Sequence, residues 1–314
     1  MAQIRLALIA GGTSAERDVS LRGAAGVEKA LDPQKYKVVR YDPATDLARI
    51  AQDAASIDVA FLLLHGINGE DGTIQGFLDL LGVPYQGAGV LGSALAMDKN
   101  LAKVLYQLNG LPVAPWIMLE SGDLDDPGRI IAEVGLPCVV KPVRQGSSVG
   151  MSIVRDVENL SAALRLALEH DNEVMVEKYV QGRELTVGVL GTTDVQALPL
   201  VEIIPSAQYE FFNYEAKYKP GASTEICPAE VSDKIRQKAQ DYAVRAHRAL
   251  HLRCYSRTDM ILAGDELYLL ETNTIPGMTP TSLLPQAAAA AGYSFSDLLD
   301  RLIELALEPP AKPV

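Results

Sequence analysis

The 314-residue chain predicts an α/β protein in three lobes, a parallel-sheet layer followed by two α+β lobes. Three observations carry this. Short aliphatic runs at Ile4 to Ala10, Lys37 to Tyr41 and Val59 to Leu64 are each separated by helical or turn sequence, the rhythm of a parallel layer. Strand-like and helical segments stay mixed to the end of the chain. At roughly 100 to 200 residues per domain, the length holds two or three domains.

Each element has a local reason. Ser20 to Leu31 reads as a helix with Ser20 as its N-cap, and Asp98 to Leu108 as another that stops at Asn109-Gly110 before Pro112, the usual stop chemistry. A lobe boundary is expected there, giving residues 1–98, 99–183 and 184–314 as the three lobes. In the second lobe Cys138 to Lys141 and Ser152 to Val154 read as strands around a glycine-bearing loop, followed by a helix Leu160 to His170 and a strand Val174 to Tyr179. The third holds further strands, an aromatic loop, a helix Ser232 to His251, a hairpin and a C-terminal helix Ser296 to Leu307. The Pro-rich end from Glu308 to Val314 is expected to fray.

Composition removes several classes of function. The longest aliphatic run, Val59 to Leu64, is far short of the ~20 residues a membrane helix needs. Arg5 and the following Gly11-Gly12 make the first apolar stretch a strand rather than a signal peptide, so export is not expected. A net charge of −12 argues against a broad nucleic-acid or anionic-membrane surface. Cys138, Cys227 and Cys254 are far apart with no C-x-x-C pair, which suggests neither a disulfide framework nor a cysteine zinc site and fits a reducing cytoplasm.

The densest polar pattern is Arg257-Thr258-Asp259 and Glu271-Thr272-Asn273, around a turn at Ala263-Gly264-Asp265. Residues two apart on a strand share a face. If the hairpin closes with Asp259 opposite Glu271, Arg257 stands opposite Asn273 and four polar groups gather at one end; a one-residue slip would part them. Two carboxylates and an amide oxygen suit a hard cation such as Mg²⁺, and Arg257 would stabilise developing negative charge. The same residues also read as a surface salt bridge, and spacing alone leaves both readings open.

Gln145-Gly-Ser-Ser148-Val-Gly150 is a glycine-flanked loop with consecutive hydroxyls, suited to phosphate oxygens, with Lys141 just upstream. It also matches G-x-S-x-G centred on Ser148, the nucleophile elbow of serine hydrolases. That motif needs a helix after the serine, whereas Met151 to Val154 alternates like a strand. A plain polar hairpin loop is the third reading. Gly11-Gly-Thr-Ser-Ala-Glu16 lacks the G-x-G-x-x-G dinucleotide fingerprint; Glu16 suits either a ligand ammonium or a helix dipole. His65 ends a strand, where open α/β sheets bind ligands. Tyr209, Phe211, Phe212, Tyr214 and Tyr218, with Lys217, read as a lid over a site or as a loop packed for stability. His247 and His251 stand four apart on a helix, but no third metal ligand accompanies them.

In order along nearly the whole length, the chain carries GGTSAERDVS at Gly11 to Ser20, LLHGINGEDGTIQG at Leu63 to Gly76, MDKNLAK at Met97 to Lys103, KPVRQGSSVGMS at Lys141 to Ser152, EAKY at Glu215 to Tyr218 and ETNTIPGMTPTSLLP at Glu271 to Pro285. With these it closely resembles the D-alanine:D-alanine ligases, ATP-grasp carboxylate-amine ligases, and the resemblance displaces the hydrolase reading of Ser148. It implies an ATP-grasp fold and formation of D-alanyl-D-alanine through an acyl phosphate, with release of ADP and phosphate, for peptidoglycan precursors. By resemblance, Glu16 and His65 hold the first amino acid, and Glu16, Ser147 and Tyr218 form a hydrogen-bonded set. Lys99 and Lys141 contact ATP phosphates under the loop holding Ser148; Glu177, Lys178 and Val180 form the adenine hinge, with Glu184 at the ribose. Asp259, Glu271 and Asn273 hold two Mg²⁺ or Mn²⁺ ions, and Arg257 and the Gly277 N–H stabilise the oxyanion. Ser282, Leu283 and Lys217 receive the second carboxylate. A homodimer is the family's common state. The segment Arg253-Cys-Tyr-Ser-Arg257 departs from the family's glycine-rich approach to the arginine. D-Ala-D-lactate and D-Ala-D-Ser ligases are close variants.

Overall fold

A computed structural model describes residues 3–120, 127–206, 208, 219 and 221–308. Its first sheet is parallel, ordered β2 (Tyr36–Tyr41), β1 (Ile4–Ala10), β3 (Val59–Leu63). β1 has apolar residues on both faces: Leu6 and Leu8 enter one buried cluster, Ala7 and Ile9 another. That double burial is why this strand is a continuous hydrophobic run. With β1 central, the chain leaves it to one side for β2 and returns on the other for β3. A crevice therefore opens at the carboxyl ends of β1 and β3, where Glu16 and His65 follow.

The helices of this lobe are α1 (Arg17–Ala30), α2 (Leu47–Asp53), α3 (Thr73–Leu81) and α4 (Val90–Met97), followed by α5 (Lys99–Leu108). The predicted start at Ser20 is corrected: α1 begins three residues earlier, and Ser20 lies inside it, fully buried. Its hydroxyl donates to the Leu63 carbonyl and accepts the Gly11 N–H at 2.7 Å. It caps no helix; it ties the ends of β1 and β3 together beneath the crevice. Asp98 does cap α5, accepting the Leu101 N–H at 2.9 Å.

The second sheet is antiparallel, ordered β4 (Trp116–Glu120), β7 (Glu173–Lys178), β5 (Cys138–Pro142), β6 (Ser152–Val154). The helices α6 (Pro127–Val134) and α7 (Leu160–Leu168) pack on it. The third sheet runs β10 (Ser223–Ile226), β9 (Gln196–Pro205), β8 (Arg183–Leu190), β11 (Tyr255–Ala263), β12 (Glu266–Asn273). It carries α8 (Asp233–Ala249), capped by Ser232, and α9 (Leu283–Ala290). Finally α10 (Phe295–Leu307), capped by Ser294 with Asp297, returns to pack on β3 and α1. Its Leu298, Leu299 and Leu302 share one buried cluster with Leu6, Phe61 and Ile203, so the first and third sheets are cemented by common core. No described helix is long and apolar enough to cross a membrane.

Candidate active site

The hairpin β11–β12 supplies the centre of the site. Its turn pairs Ala263 with Glu266 and continues to Met260 opposite Leu269. Continued unbroken, that register would set Asp259 against Leu270. Instead the register shifts after Met260, leaving Leu270 as an extra residue; Asp259 stands opposite Glu271 and Arg257 opposite Asn273. Such a bulge re-aims side chains beside a site. The expected pairing of the four polar residues is therefore met, through a bulge.

Around Asp259 the bonds are dense. Arg257 donates to its two oxygens at 2.9 and 2.8 Å, Asn273 Nδ2 to Oδ2 at 3.0 Å and Thr186 Oγ1, from β8, to Oδ1 at 2.5 Å. Asp259 is only 6 % exposed, so this is no surface salt bridge. Behind the hairpin, on its other face, Thr258, Thr272 and Tyr106 form a buried hydroxyl chain that fixes α5 against β12.

Lysines bring in the second lobe. Lys99, at the start of α5, reaches the Gln145 carbonyl at 2.5 Å and lies 3.6 Å from Glu271 Oε2. Lys141, on β5, pairs with Glu177, which also has Lys103 at 2.7 Å. Burial alone would raise the Glu177 carboxyl; the two ammoniums outweigh it and hold it down to about 2. Burial lowers the Lys103 ammonium, with repulsion from Lys141 adding to it and Glu177 opposing. Ser147 and Ser148 both take left-handed backbone, with φ of 51° and 58°, a conformation that costs non-glycine residues energy and is kept where a site requires it. This turn lets Ser147 Oγ donate to Glu16 across the lobes. After Ser148 the chain runs into strand β6 rather than a helix, so the hydrolase elbow is corrected: its strand–turn–helix support does not exist here.

Two adjoining cavities result. Lys99, Lys141, Ser148, Glu177, Lys178, Val180, Glu184, Asp259 and Glu271 all border the first. Glu16, His65, Ser147, Arg257, Asn273, Gly277, Ser282 and Leu283 all border the second. They meet across the Arg257–Asp259 pair. Ser282 precedes α9 and accepts the Thr279 N–H at 3.1 Å; a Cβ on Gly277 would come within 3.1 Å of its Oγ, so glycine keeps this floor open. Burial pushes His65 below the ordinary imidazole value, reinforced by Arg257 and opposed by Glu16. The aromatic segment, with Lys217 and Tyr218, lies outside the described residues.

Asp259, Glu271 and the Asn273 amide oxygen make a hard-oxygen set of the kind a divalent cation takes. Among the described residues no trio of His, Cys, Asp or Glu forms a closed cage. A cation here would complete its shell with ligand oxygens and water, as Mg²⁺ sites do. The His247–His251 pair binds no common ligand: His247 is buried with Nδ1 on Ser256 Oγ at 2.8 Å, whereas His251 is exposed beyond the end of α8.

Three residues of the site escape sequence reasoning. Thr186 carries no local signal. Lys103 stands four after Lys99, hence on the same helical face. Glu70 lies within the Leu63 to Gly76 stretch; its carboxylate accepts the Gly66 N–H at 2.8 Å and the Ile275 N–H at 3.3 Å, joining first and third lobes. Burial, then the Glu16 charge, raises Glu70 to about 7.

The chain matches the family model described as D-ala D-ala ligase C-terminus over residues 105–304 and that described as D-ala D-ala ligase N-terminus over residues 42–88. It is 61 % identical to the D-alanine–D-alanine ligase of Desulfotalea psychrophila over 308 residues, 98 % of this chain and 96 % of that one. With the enzyme of the same name from Syntrophobacter fumaroxidans the identity is 59 % over 306 residues, 98 % of each chain. Among solved structures, D-alanine–D-alanine ligase from Bacillus anthracis complexed with ATP superposes with a TM-score of 0.84 at 34 % identity, covering 97 % of each chain. A D-Ala:D-Ser ligase from Enterococcus faecalis gives 0.85 at 31 %, covering 97 % of this chain and 100 % of the other.

Proposed function

The chain belongs to the D-alanine–D-alanine ligase family, and on that premise we propose how its cleft performs the reaction. The protein is an ADP-forming ligase that uses ATP to join two D-alanine molecules into D-alanyl-D-alanine for peptidoglycan synthesis. The carboxylate of the first D-alanine takes the γ-phosphoryl group, the amine of the second attacks the acyl phosphate, and the tetrahedral intermediate collapses to release phosphate. Little of this is covalent work for the protein; positioning and charge neutralisation dominate.

The observation that supports this division of labour is the meeting of two cavities across Arg257 and Asp259. ATP occupies the first, with adenine at Glu177, Lys178 and Val180, ribose at Glu184, and phosphates at Lys99, Lys141 and Ser148. The amino acids occupy the second. Glu16 takes the ammonium of the first D-alanine beside His65; Ser147 orients Glu16, and Tyr218 completes that set. Ser282, Leu283 and Lys217 receive the carboxylate of the second. Asp259, Glu271 and Asn273 hold two Mg²⁺ or Mn²⁺ ions, which when bound neutralise phosphate charge. Arg257 and the Gly277 N–H face the oxyanion.

Residues 1–98, 99–183 and 184–314 act as three lobes around this cleft, in a cytoplasmic homodimer that contributes to cell-wall formation and cell shape. The likeness to a D-Ala:D-Ser ligase gives a second reading, D-serine as second substrate; the 61 % and 59 % identical relatives favour D-alanine. Incubation with ATP, Mg²⁺ and D-alanine, alone and against D-serine or D-lactate, tests both. Phosphate release matched by D-alanyl-D-alanine is expected; a mixed product preferred in competition would move the second substrate, and no ATP-dependent product would defeat the proposal.

A further inference from the structure

The charge triad Lys103–Glu177–Lys141 contains one more cation than the adenine hinge or the phosphate contact needs. Glu177 is enclosed, with its side chain 4 % exposed, and has Lys141 on Oε1 and Lys103 2.7 Å from Oε2. Lys103 is fully buried. Lys141 and Glu177 border the ATP cavity, whereas Lys103 lies behind them, outside its lining. Its ammonium lies at ion-pair distance from Oε2, so its charge bears directly on Glu177. Trp116, opposite Glu177 in the β4–β7 register, sets its ring 5.7 Å from the Lys103 ammonium and is itself held by Asn100. Asn100 of α5 and Trp116 of β4 thus steer this cation onto β7.

Burying a third charge is expensive and an apolar side chain would pack more cheaply. We propose that Lys103 is a positioning residue for ATP: it neutralises Glu177 from behind and leaves the charge of Lys141 available to the triphosphate. With Lys103 the triad carries one net positive charge at the cavity wall. Without it, Glu177 and Lys141 cancel and the wall loses its attraction for phosphate. This rests on the nucleotide assignment above.

The test is calorimetric titration of the full chain with ATP and Mg²⁺, and separately with adenosine, in the absence of D-alanine. Lys103→Met is expected to weaken ATP about tenfold, corresponding to ~1.4 kcal/mol, while adenosine binding stays unchanged. Lys103→Met/Glu177→Gln returns the wall to one positive charge and is expected to recover the preference for ATP over adenosine, a rescue that a purely packing role would not give. Equal weakening of ATP and adenosine in Lys103→Met, or no recovery in the double variant, would overturn the proposal. Glu177→Gln keeps the test decisive if Lys103→Met does not fold: it alters the adenine hinge for both ligands alike, so the ratio of ATP to adenosine affinity is read, which is expected to be at least that of wild type, and a lower ratio counts against the proposal. The underlying nucleotide reading fails separately, if wild type prefers ATP no more than adenosine. A selective ATP loss in Lys141→Met without one in Lys103→Met removes only the role of Lys103.

Discussion

Asp259 stands opposite Glu271, not opposite Leu270 as the turn of its own hairpin would set it. The bulge at Leu270 therefore places the second carboxylate, and two residues on it sets Asn273 beside Arg257. The places of Glu271 and Asn273 at the junction of the two cavities depend on that extra residue.

Thr186 holds Asp259 from the neighbouring strand at 2.5 Å. Thr186→Val keeps the volume and removes the donor. The concentration of Mn²⁺ needed for half-maximal activity is expected to rise roughly tenfold, the cost of losing an outer partner of a metal ligand. An unchanged metal titration curve would contradict this support.

Arg257 is bidentate to Asp259 and is assigned to charge that develops in the reaction. Arg257→Ala should lower kcat by about 10²–10³, as removal of an oxyanion donor does, with far less change in ATP affinity. Equal losses in turnover and ATP binding, measured by steady-state kinetics and titration, would remove the assignment.

Ser147 donates to Glu16 across the lobes. A charge-assisted hydrogen bond contributes roughly 1.5–3 kcal/mol, so Ser147→Ala is expected to raise the KM of the first D-alanine by about 10- to 100-fold. The KM of ATP should move much less; a rise confined to ATP would place Ser147 elsewhere in the reaction.

Glu70 is raised from 4.5 to about 7 in the folded chain. Between those values the folded state binds more protons than the unfolded one, so stability falls as pH rises from 4.5 to 7 and the loss is complete above 7. The full effect is on the order of 3 kcal/mol. Glu70→Gln should flatten this part of the pH profile in urea unfolding. A variant profile parallel to wild type between pH 5 and 8 would show that Glu70 titrates normally.

The parts of the site carried by contiguous motifs were legible in the sequence. The alternation of Arg257, Asp259, Glu271 and Asn273 defined a shared face, yet the bulge that makes the pairing possible depends on β8 and β12 gripping β11 from both sides. Ser20 looked like an N-cap because its hydroxyl bonds backbone; the backbone it bonds belongs to Gly11 and Leu63, which only the parallel sheet brings near. Thr186, Glu70 and Lys103 were missed for the same reason. Each acts on a residue far away in the chain: Thr186 has no local mark, and neither the stretch around Glu70 nor the helical face that Lys103 shares with Lys99 says which distant group each one meets.

One cleft is proposed to transfer a phosphoryl group to an oxygen of the D-alanine carboxylate and then an amine to the carbon of that carboxylate. D-alanine labelled with ¹⁸O in both carboxyl oxygens tests it most directly, by mass analysis of the phosphate released during turnover with ATP. One ¹⁸O atom is expected in each phosphate, because the attacking carboxylate oxygen leaves with phosphorus. Phosphate free of ¹⁸O, formed alongside dipeptide, would contradict it.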